Sequence, residues 1–433
     1  MPVNEQFQLP VAIVMNMFYT GLGIARSLGE IGVPVIGLSA HPGVYGEYTR
    51  YARTISCPDS RSEPEKLLEF LLKLGREMDH RAVMFPTRDD DVVFLDHYRA
   101  ELSRYFELVV AESPVLKASL DKWETYLWAQ RAGVATPQAW LVEGPEQLQR
   151  ILPEVSFPCV LKPVASYHWR KGNNWAMVGG RKAVAISSRE ELLAEYESIA
   201  RADQRALLQE MIAGEDNCLL ITACYLDRGS NLVAAFHIRK LVQSPPGFGT
   251  GIIVQAADFP ELLAPTIRLL KEMRFTGIAE VEYKWDNARR QYQLIEINPR
   301  PWDQHRLGMA CGVNLVYLTY CEHAGLPIPS FQHKPSRQKW IAEDAFLTSA
   351  LELLWRRDPR IRSLFQQARG ERCYAIWSRK DPMPSIIFLI RRYIPGLVAT
   401  GARAIWSKIR GRVFPENKEI AYGAYLGKGK SHG

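Results

Sequence analysis

At 433 residues, 47% hydrophobic and 23% charged, the chain is long enough for two or three cored domains and too apolar for global disorder. Its 54 Lys and Arg against 47 Asp and Glu leave a net charge of +7, and the excess gathers toward the C-terminus, which argues against nucleic-acid binding by the protein as a whole. Seven cysteines, an odd number without a C-x-x-C pair, exclude a disulfide framework and a zinc site and fit reduced thiols in the cytoplasm.

The first 112 residues read as a βαβ-type domain. The apolar run VAIVM at 11–15 suits a buried parallel strand. A turn with Gly21 and Gly23, a helix to about residue 30 and a strand VPVIGLS follow. The glycine pair invites a dinucleotide-binding reading, and with it a NAD-type oxidoreductase. Arg26 stands at the third glycine position, and Ser39-Ala40-His41 offers no acid for a ribose hydroxyl, so that reading is disfavoured. A helix over 63–78, a strand AVMFP, Asp89 as a helix cap in PTRDDD and a strand FELVVAES complete the unit. No charged segment precedes a long apolar run, so no signal peptide is expected.

Further on, SPVLKASLDKWETYLWAQRAGVATP reads as helix–loop–helix, with Lys122 early in the second helix. FPCVLKPVAS is an apolar strand carrying Lys162, and a lysine there is costly unless an anion partners it. The stretch 166–182, rich in Gly, Asn and basic residues, is either a loop that folds over phosphates or a mobile hairpin tip. Gln209, Glu210, Met211 and Ile212 leave a strand just before Gly214 and Asp216. Such an exit can hold a planar base through backbone groups, and an ordinary glycine turn explains it equally well. Two more strands flank a Pro-Gly loop containing Gly249, and Arg239 and Lys240 before it can hold a carboxylate or a phosphate.

A helix at 260–273 leads into the hairpin AEVEYKW–DNARRQ–YQLIEIN. Alternation puts Glu280 and Glu282 on one face of the first strand, and Glu296 and Asn298 on one face of its partner. Three carboxylates and an amide would then converge, with Arg300 just beyond. Hard oxygen ligands around an open site suit Mg²⁺ and leave room for phosphate oxygens. The plain alternative is a solvated hairpin with surface acids. One helix is expected over PWDQHRLGMACGVNLVYLTYCEHAG.

Taken in order, Asp121-Lys122, LKP at 161–163, the glycine-rich loop, QEMIAGED, VEYKWD and IEINPR resemble the ATP-grasp superfamily over residues 10–327. Within it the chain looks most like carboxylate–amine ligases of the amino-acid- or peptide-joining kind. The resemblance implies an α/β protein: an amino-terminal βαβ domain (1–112), an ATP-grasp core of two α+β subdomains (113–329, lid about 155–212) and a helical C-terminal extension (330–433). It implies ATP and Mg²⁺ (or Mn²⁺) as cofactors, with Lys122 and Lys162 on the α- and β-phosphates. Gln209, Glu210, Met211 and Ile212 would meet the adenine, Ile295 would pack on its face, and Asp216 would take the ribose. Glu282, Glu296 and Asn298 would hold the metal. Arg300 would stabilise charge during transfer, His305 would be a base for the amine, and Arg239, Lys240 and Gly249 would face the substrates. The implied reaction is two-step: a carboxylate takes the γ-phosphate to give an acyl phosphate, and an amine then displaces phosphate. One departure stands out, because some of these ligases carry an arginine two residues before the first metal-binding acid, where this chain has Glu280. The rival from another class is an ATP-binding scaffold without catalysis. Small-molecule acid and amine are the expected partners, along with a second copy in a homodimer.

From residue 330 on, helices are expected over 341–369. Beyond them Ile386, Ile387, Leu389, Ile394, Leu397 and Trp406 interleave with Arg391, Arg392, Arg403, Lys408, Arg410 and Arg412. This segment reads as a basic amphipathic helix in weak contact with an anionic membrane surface, or as a lid packed on the catalytic domain. Pro395 and Gly396 interrupt it and favour the lid. Its most apolar piece, IIFLI at 386–390, is too short to span a bilayer.

Overall fold

The computed structural model describes residues 9–393, so the basic segment from residue 394 onward lies outside the described part. Three sheets organise it. The first is a five-stranded parallel sheet in the order Arg53–Ser56, Val35–Ser39, Ala12–Met15, Ala82–Phe85, Phe106–Leu108. Its strands are the short apolar runs expected of a sheet covered on both faces. Leu67 and Leu71 of the Pro64–Arg76 helix cover one face, and Leu22, Ile24, Ala25 and Leu28 of the Tyr19–Gly29 helix cover the other. The edge strand Arg53–Ser56 carries no sequence signal, because Ile55 is its one apolar side chain and both end residues are exposed. The strand order reverses between Ala12–Met15 and Ala82–Phe85, so a crevice opens at the carboxyl ends of those two strands.

The structure gives Gly21 and Gly23 a packing reason. A Cβ at Gly21 would lie 1.8 Å from the Asn16 carbonyl oxygen, and one at Gly23 would lie 2.7 Å from Nε2 of His305. These glycines let the Tyr19–Gly29 helix approach its neighbours, which removes the sequence reason for a dinucleotide site.

The second sheet is antiparallel and four-stranded, in the order Ala139–Val142, Ala206–Glu210, Cys159–Pro163, Val184–Ile186. Cys159, Leu161, Ala206 and Leu208 point into a core with Leu192, Tyr196 and Ile199 of the Arg189–Ala200 helix. Alternation therefore sends Lys162 and Gln209 to the opposite face.

The third sheet has seven strands, in the order Gln291–Asn298, Gly277–Asp286, Leu219–Leu226, Leu232–Ser244, Thr250–Ala257, Lys339–Ile341, Arg372–Tyr374. One face packs Leu220, Cys224, Val281, Tyr283 and Leu294 against the Pro260–Glu272 helix. The other face packs Ile221, Ala223 and Ile238 toward the first domain. The last two strands correct the expectation of a purely helical extension: each is only three residues long, too short for a readable period. The single helix expected after the hairpin is also corrected. It is a 3₁₀ turn His305–Cys311, a left-handed Gly312 at φ +76°, and a separate helix Leu315–His323 capped by the Asn314 side chain. No described helix is long and apolar enough to cross a membrane.

Candidate active site

Lys162 reaches the cleft from the four-stranded sheet, 7% exposed, and its Nζ donates to Gln209 Oε1 at 2.7 Å. Burial, and then the charge of Lys122, push this lysine down to about 8. Lys122 arrives from below: Asp121 caps its helix by accepting from the Trp123 and Glu124 amides. Its Nζ donates to Ser166 Oγ at 3.1 Å and lies 3.6 Å from Glu296 Oε2.

The acids come from the hairpin, in register. Glu282 faces Glu296, and Glu280 faces Asn298. The pairing then slips, so that Tyr283 faces Leu294 and Ile295 is left as the extra residue of a bulge. Without the bulge Leu294 would share a face with Glu296. With it, Leu294 and Ile297 stay in the core while Glu296 and Asn298 turn to the cleft. Ile295, half-buried, belongs to none of the core clusters.

The three hairpin acids do not converge as expected. Among the described residues no group of three or more His, Cys, Asp or Glu is placed to hold a metal ion. Glu282 binds Lys240 Nζ at 2.5 Å, Glu296 lies beside Lys122, and Glu280 accepts from Asn298 Nδ2 at 3.0 Å. Burial opposes the charge on Glu296, but Lys122, Lys162, Lys240 and Lys182 together hold its carboxyl below the usual range. Glu280 goes the other way: burial, with Glu282 adding and Lys240 opposing, pushes it up to about 8. What remains for a metal is two carboxylates and an amide. That set fits Mg²⁺, which takes one or two carboxylates and completes its shell with water and phosphate oxygens.

Several residues sit elsewhere than the sequence suggested. Arg239 pairs with Leu220 on the far face of the sheet, where its guanidinium stacks on Phe259 at 4.9 Å, so only Lys240 of that pair enters the cleft. His305 is 4% exposed and sits within 3.3 Å of the Thr20 carbonyl. Burial holds it at about 3, so it is a packed, neutral ring and not a base for an amine. Gly249 is held by its own turn, because a Cβ there would lie 2.2 Å from the Pro245 carbonyl oxygen. Asp216 spends both oxygens on Gln243, accepting from its amide at 2.7 Å and its Nε2 at 2.8 Å. Glu210 is tied to Arg289 at 2.8 Å. The 166–182 stretch folds as two short helices, Ser166–Arg170 and Asn174–Met177, and not as an irregular loop. Lys182, at its end, crosses the cleft to donate to Thr250 Oγ1 at 2.8 Å.

The expectation that Asp89 caps its helix is corrected: the capping acid is Asp91, which accepts from the Thr87 and Arg88 amides, and Asp89 opens the helix with its carboxylate turned elsewhere. Asp89, at the rim of the first domain's crevice, accepts from Arg300 Nε at 2.7 Å. It thereby fixes the arginine that follows the hairpin acids. Only the third dimension joins positions 211 residues apart.

The packed His305 has a measurable consequence. Its unfolded value is 6.5, so as pH falls below that point the unfolded chain takes up a proton that the native imidazole refuses until about 3. Stability should fall with acidification by about 1.4 kcal/mol per pH unit over that window. His305→Asn should flatten this slope in urea titrations, while leaving the pH profile of activity unchanged in shape.

A five-stranded parallel sheet, a four-stranded sheet with an inward lysine and a central sheet whose edge hairpin bears acids define an ATP-grasp fold. Residues 209–327 match the family model for the carbamoyl-phosphate synthase L chain ATP-binding domain. D-aspartate ligase of Enterococcus faecium (strain Aus0004) is 24% identical over 314 residues, covering 69% of this chain and 72% of that one. Among solved structures, biotin carboxylase from Campylobacter jejuni superposes with a TM-score of 0.59 at 17% identity, over 75% of this chain and 74% of that one. L-amino acid ligase from Bacillus licheniformis superposes with a TM-score of 0.54 at 14% identity, over 73% and 74%.

Proposed function

We propose that this chain is an ATP-dependent ligase that joins a carboxylate to an amine through an acyl phosphate. The observation that carries the reading is the convergence of Lys122, Lys162 and Lys240 around Glu282 and Glu296. Phosphoryl transfer asks a protein mainly for position and charge neutralisation, and alternating lysines and acids supply both. Likeness to a D-aspartate ligase and an L-amino acid ligase supports an amino-acid-type carboxylate as the acid.

Lys122 and Lys162 take the α- and β-phosphates, and Gln209 holds Lys162 in its extended pose. The Ile212 amide, which has no hydrogen-bond acceptor among the described residues, is free to meet a base edge. Glu210 and Met211 lie beside it, and Ile295 covers the base from the hairpin. Asp216, oriented by Gln243, keeps lone pairs for ribose hydroxyls. Glu282, Glu296 and Asn298 would hold Mg²⁺ or Mn²⁺, which would supply neutralisation of phosphate charge. The hydrogen bond to Glu280 spends the Asn298 amide nitrogen and leaves its oxygen for the cleft. Arg300, held by Asp89, stands where negative charge develops. The 166–182 segment closes the cleft against water, which would otherwise hydrolyse the acyl phosphate.

A lysine at about 8 is charged below that pH and neutral above it. ATP affinity should therefore weaken on the order of tenfold as pH rises through that value, the worth of one charge-assisted hydrogen bond. Titration of ATP binding at several pH values checks this, and Lys162→Gln should lose the dependence. The function itself is tested by Mg²⁺-dependent ADP release that requires a carboxylic acid.

A further inference from the structure

The segment after the central sheet forms a helical hairpin, Glu343–Trp355 and Arg360–Gln367, whose frame is packed. Leu364 and Ala350 are buried, and the rings of Phe346 and Phe365 meet edge-on at 5.5 Å. Arg357 turns the chain at φ +53°, and the Asp358 amide closes the first helix on the Leu353 carbonyl at 2.8 Å. A frame this well fixed nevertheless exposes Trp355 at 81%, Leu354 at 56%, Phe365 at 48% and Leu351 at 43%. Phe365 also lines a groove of about 550 Å³ with Ile341, Phe346 and Leu347, walled by the exposed Arg369 and Arg372. Exposed apolar groups contiguous with an apolar groove mark a contact surface and not scattered surface residues.

The charge around this patch is net basic: Glu343, the acid that lines the groove, is taken up by the Ile376 and Trp377 amides. Between residues 351 and 372 six arginines face three acids. Two of those acids are already taken, Glu352 by Arg356 at 2.9 Å and Asp358 by Arg360 at 2.6 Å. Arg357, Arg362 and Arg369 have no carboxylate within ion-pair reach among the described residues. An exposed indole beside Leu, Phe and unneutralised guanidinium groups is the composition of a surface that lies in a headgroup layer: the rings and aliphatic groups sit at the acyl boundary and the arginines meet lipid phosphates.

We propose that the tip and groove of the 343–372 hairpin dock this protein on an anionic bilayer surface. The mode is peripheral, since both helices are far too short to span. The strands that frame the groove form the sheet edge opposite to Gln291–Asn298, so docking makes no use of the acids of the cleft.

The test is co-sedimentation of the full-length protein with vesicles of phosphatidylcholine, with or without 30% phosphatidylglycerol, at low and high salt. The expected result is binding to the anionic vesicles alone, weakened by salt. Leu354→Ser with Trp355→Ser, and separately Arg357→Glu with Arg362→Glu, should each lower it at least tenfold. ATP-induced thermal shift, unchanged in both pairs, reports that the fold survives. Vesicle binding by the variants equal to wild type would overturn the proposal and assign any membrane contact to residues beyond 393. No binding by wild type would overturn it as well. A wild-type dimer that becomes monomeric in the Leu354/Trp355 variant would also overturn it, and would make this face an interface between two copies.

Discussion

Glu296→Gln is expected to lower ADP release about a hundredfold or more while the protein stays folded. Glu296 is the point on which Lys122, Lys162, Lys240 and Lys182 all act, and it faces Glu282 across the hairpin. Glutamine keeps the shape and removes the charge, so it takes away one of two carboxylates offered to a metal and leaves the lysines without their centre. Loss of one preorganised electrostatic group of this kind costs on the order of 3 kcal/mol in the transition state. Steady-state ADP release at saturating Mg²⁺ measures the effect, and an unchanged urea midpoint shows that the loss is chemical. Near-wild-type turnover would move the phosphate and metal site away from this hairpin.

The second large effect is on stability. Asp381 is 1% exposed and accepts from Arg26 Nε at 2.9 Å, from Thr49 Oγ1 at 2.6 Å and from the Arg50 amide at 3.0 Å. Arg26, equally buried, also donates to the carbonyls of Ile376 and Asp381. This one carboxylate ties the segment after the central sheet to the first domain. Asp381→Ala leaves a buried guanidinium without its counter-charge and two further donors without an acceptor. The expected cost is about 3–5 kcal/mol, the usual penalty for removing one partner of a buried pair. Asp381→Asn, which keeps acceptor oxygen but not charge, should fall between. Urea unfolding followed by circular dichroism checks the order, and equal stability of all three proteins would mean that the two parts fold without this tie.

What could be read in the sequence was what depends on near neighbours. Runs such as VAIVM and AVMF announced the parallel sheet, and the order of Lys122, Lys162 and the hairpin acids announced the cleft in which these lysines and acids meet. What stayed hidden depends on register or on distance along the chain. The bulge at Ile295 comes from strand pairing, and no period-2 pattern contains it. Arg239 looked equivalent to Lys240 until the pairing with Leu220 put it on the other face. The Asp89–Arg300 bond joins two domains, and its acid was read only for its local role as a cap. His305 looked like a base because a sequence does not report burial. The three hairpin acids, expected as one cluster, take separate partners: Lys240 and Lys122 from other elements for Glu282 and Glu296, and Asn298 of the hairpin itself for Glu280.

The central claim is tested most directly by Mg²⁺-dependent ADP release in hydroxylamine, over pools of D- and L-amino acids, hydroxy acids and sugar acids. Hydroxylamine traps an acyl phosphate as a hydroxamate without knowledge of the natural amine. The account predicts a hydroxamate from one acid class, absent with Lys162→Ala and Glu296→Gln. ADP release without hydroxamate from any pool would contradict it, because the γ-phosphate would then be passing to something other than a carboxylate.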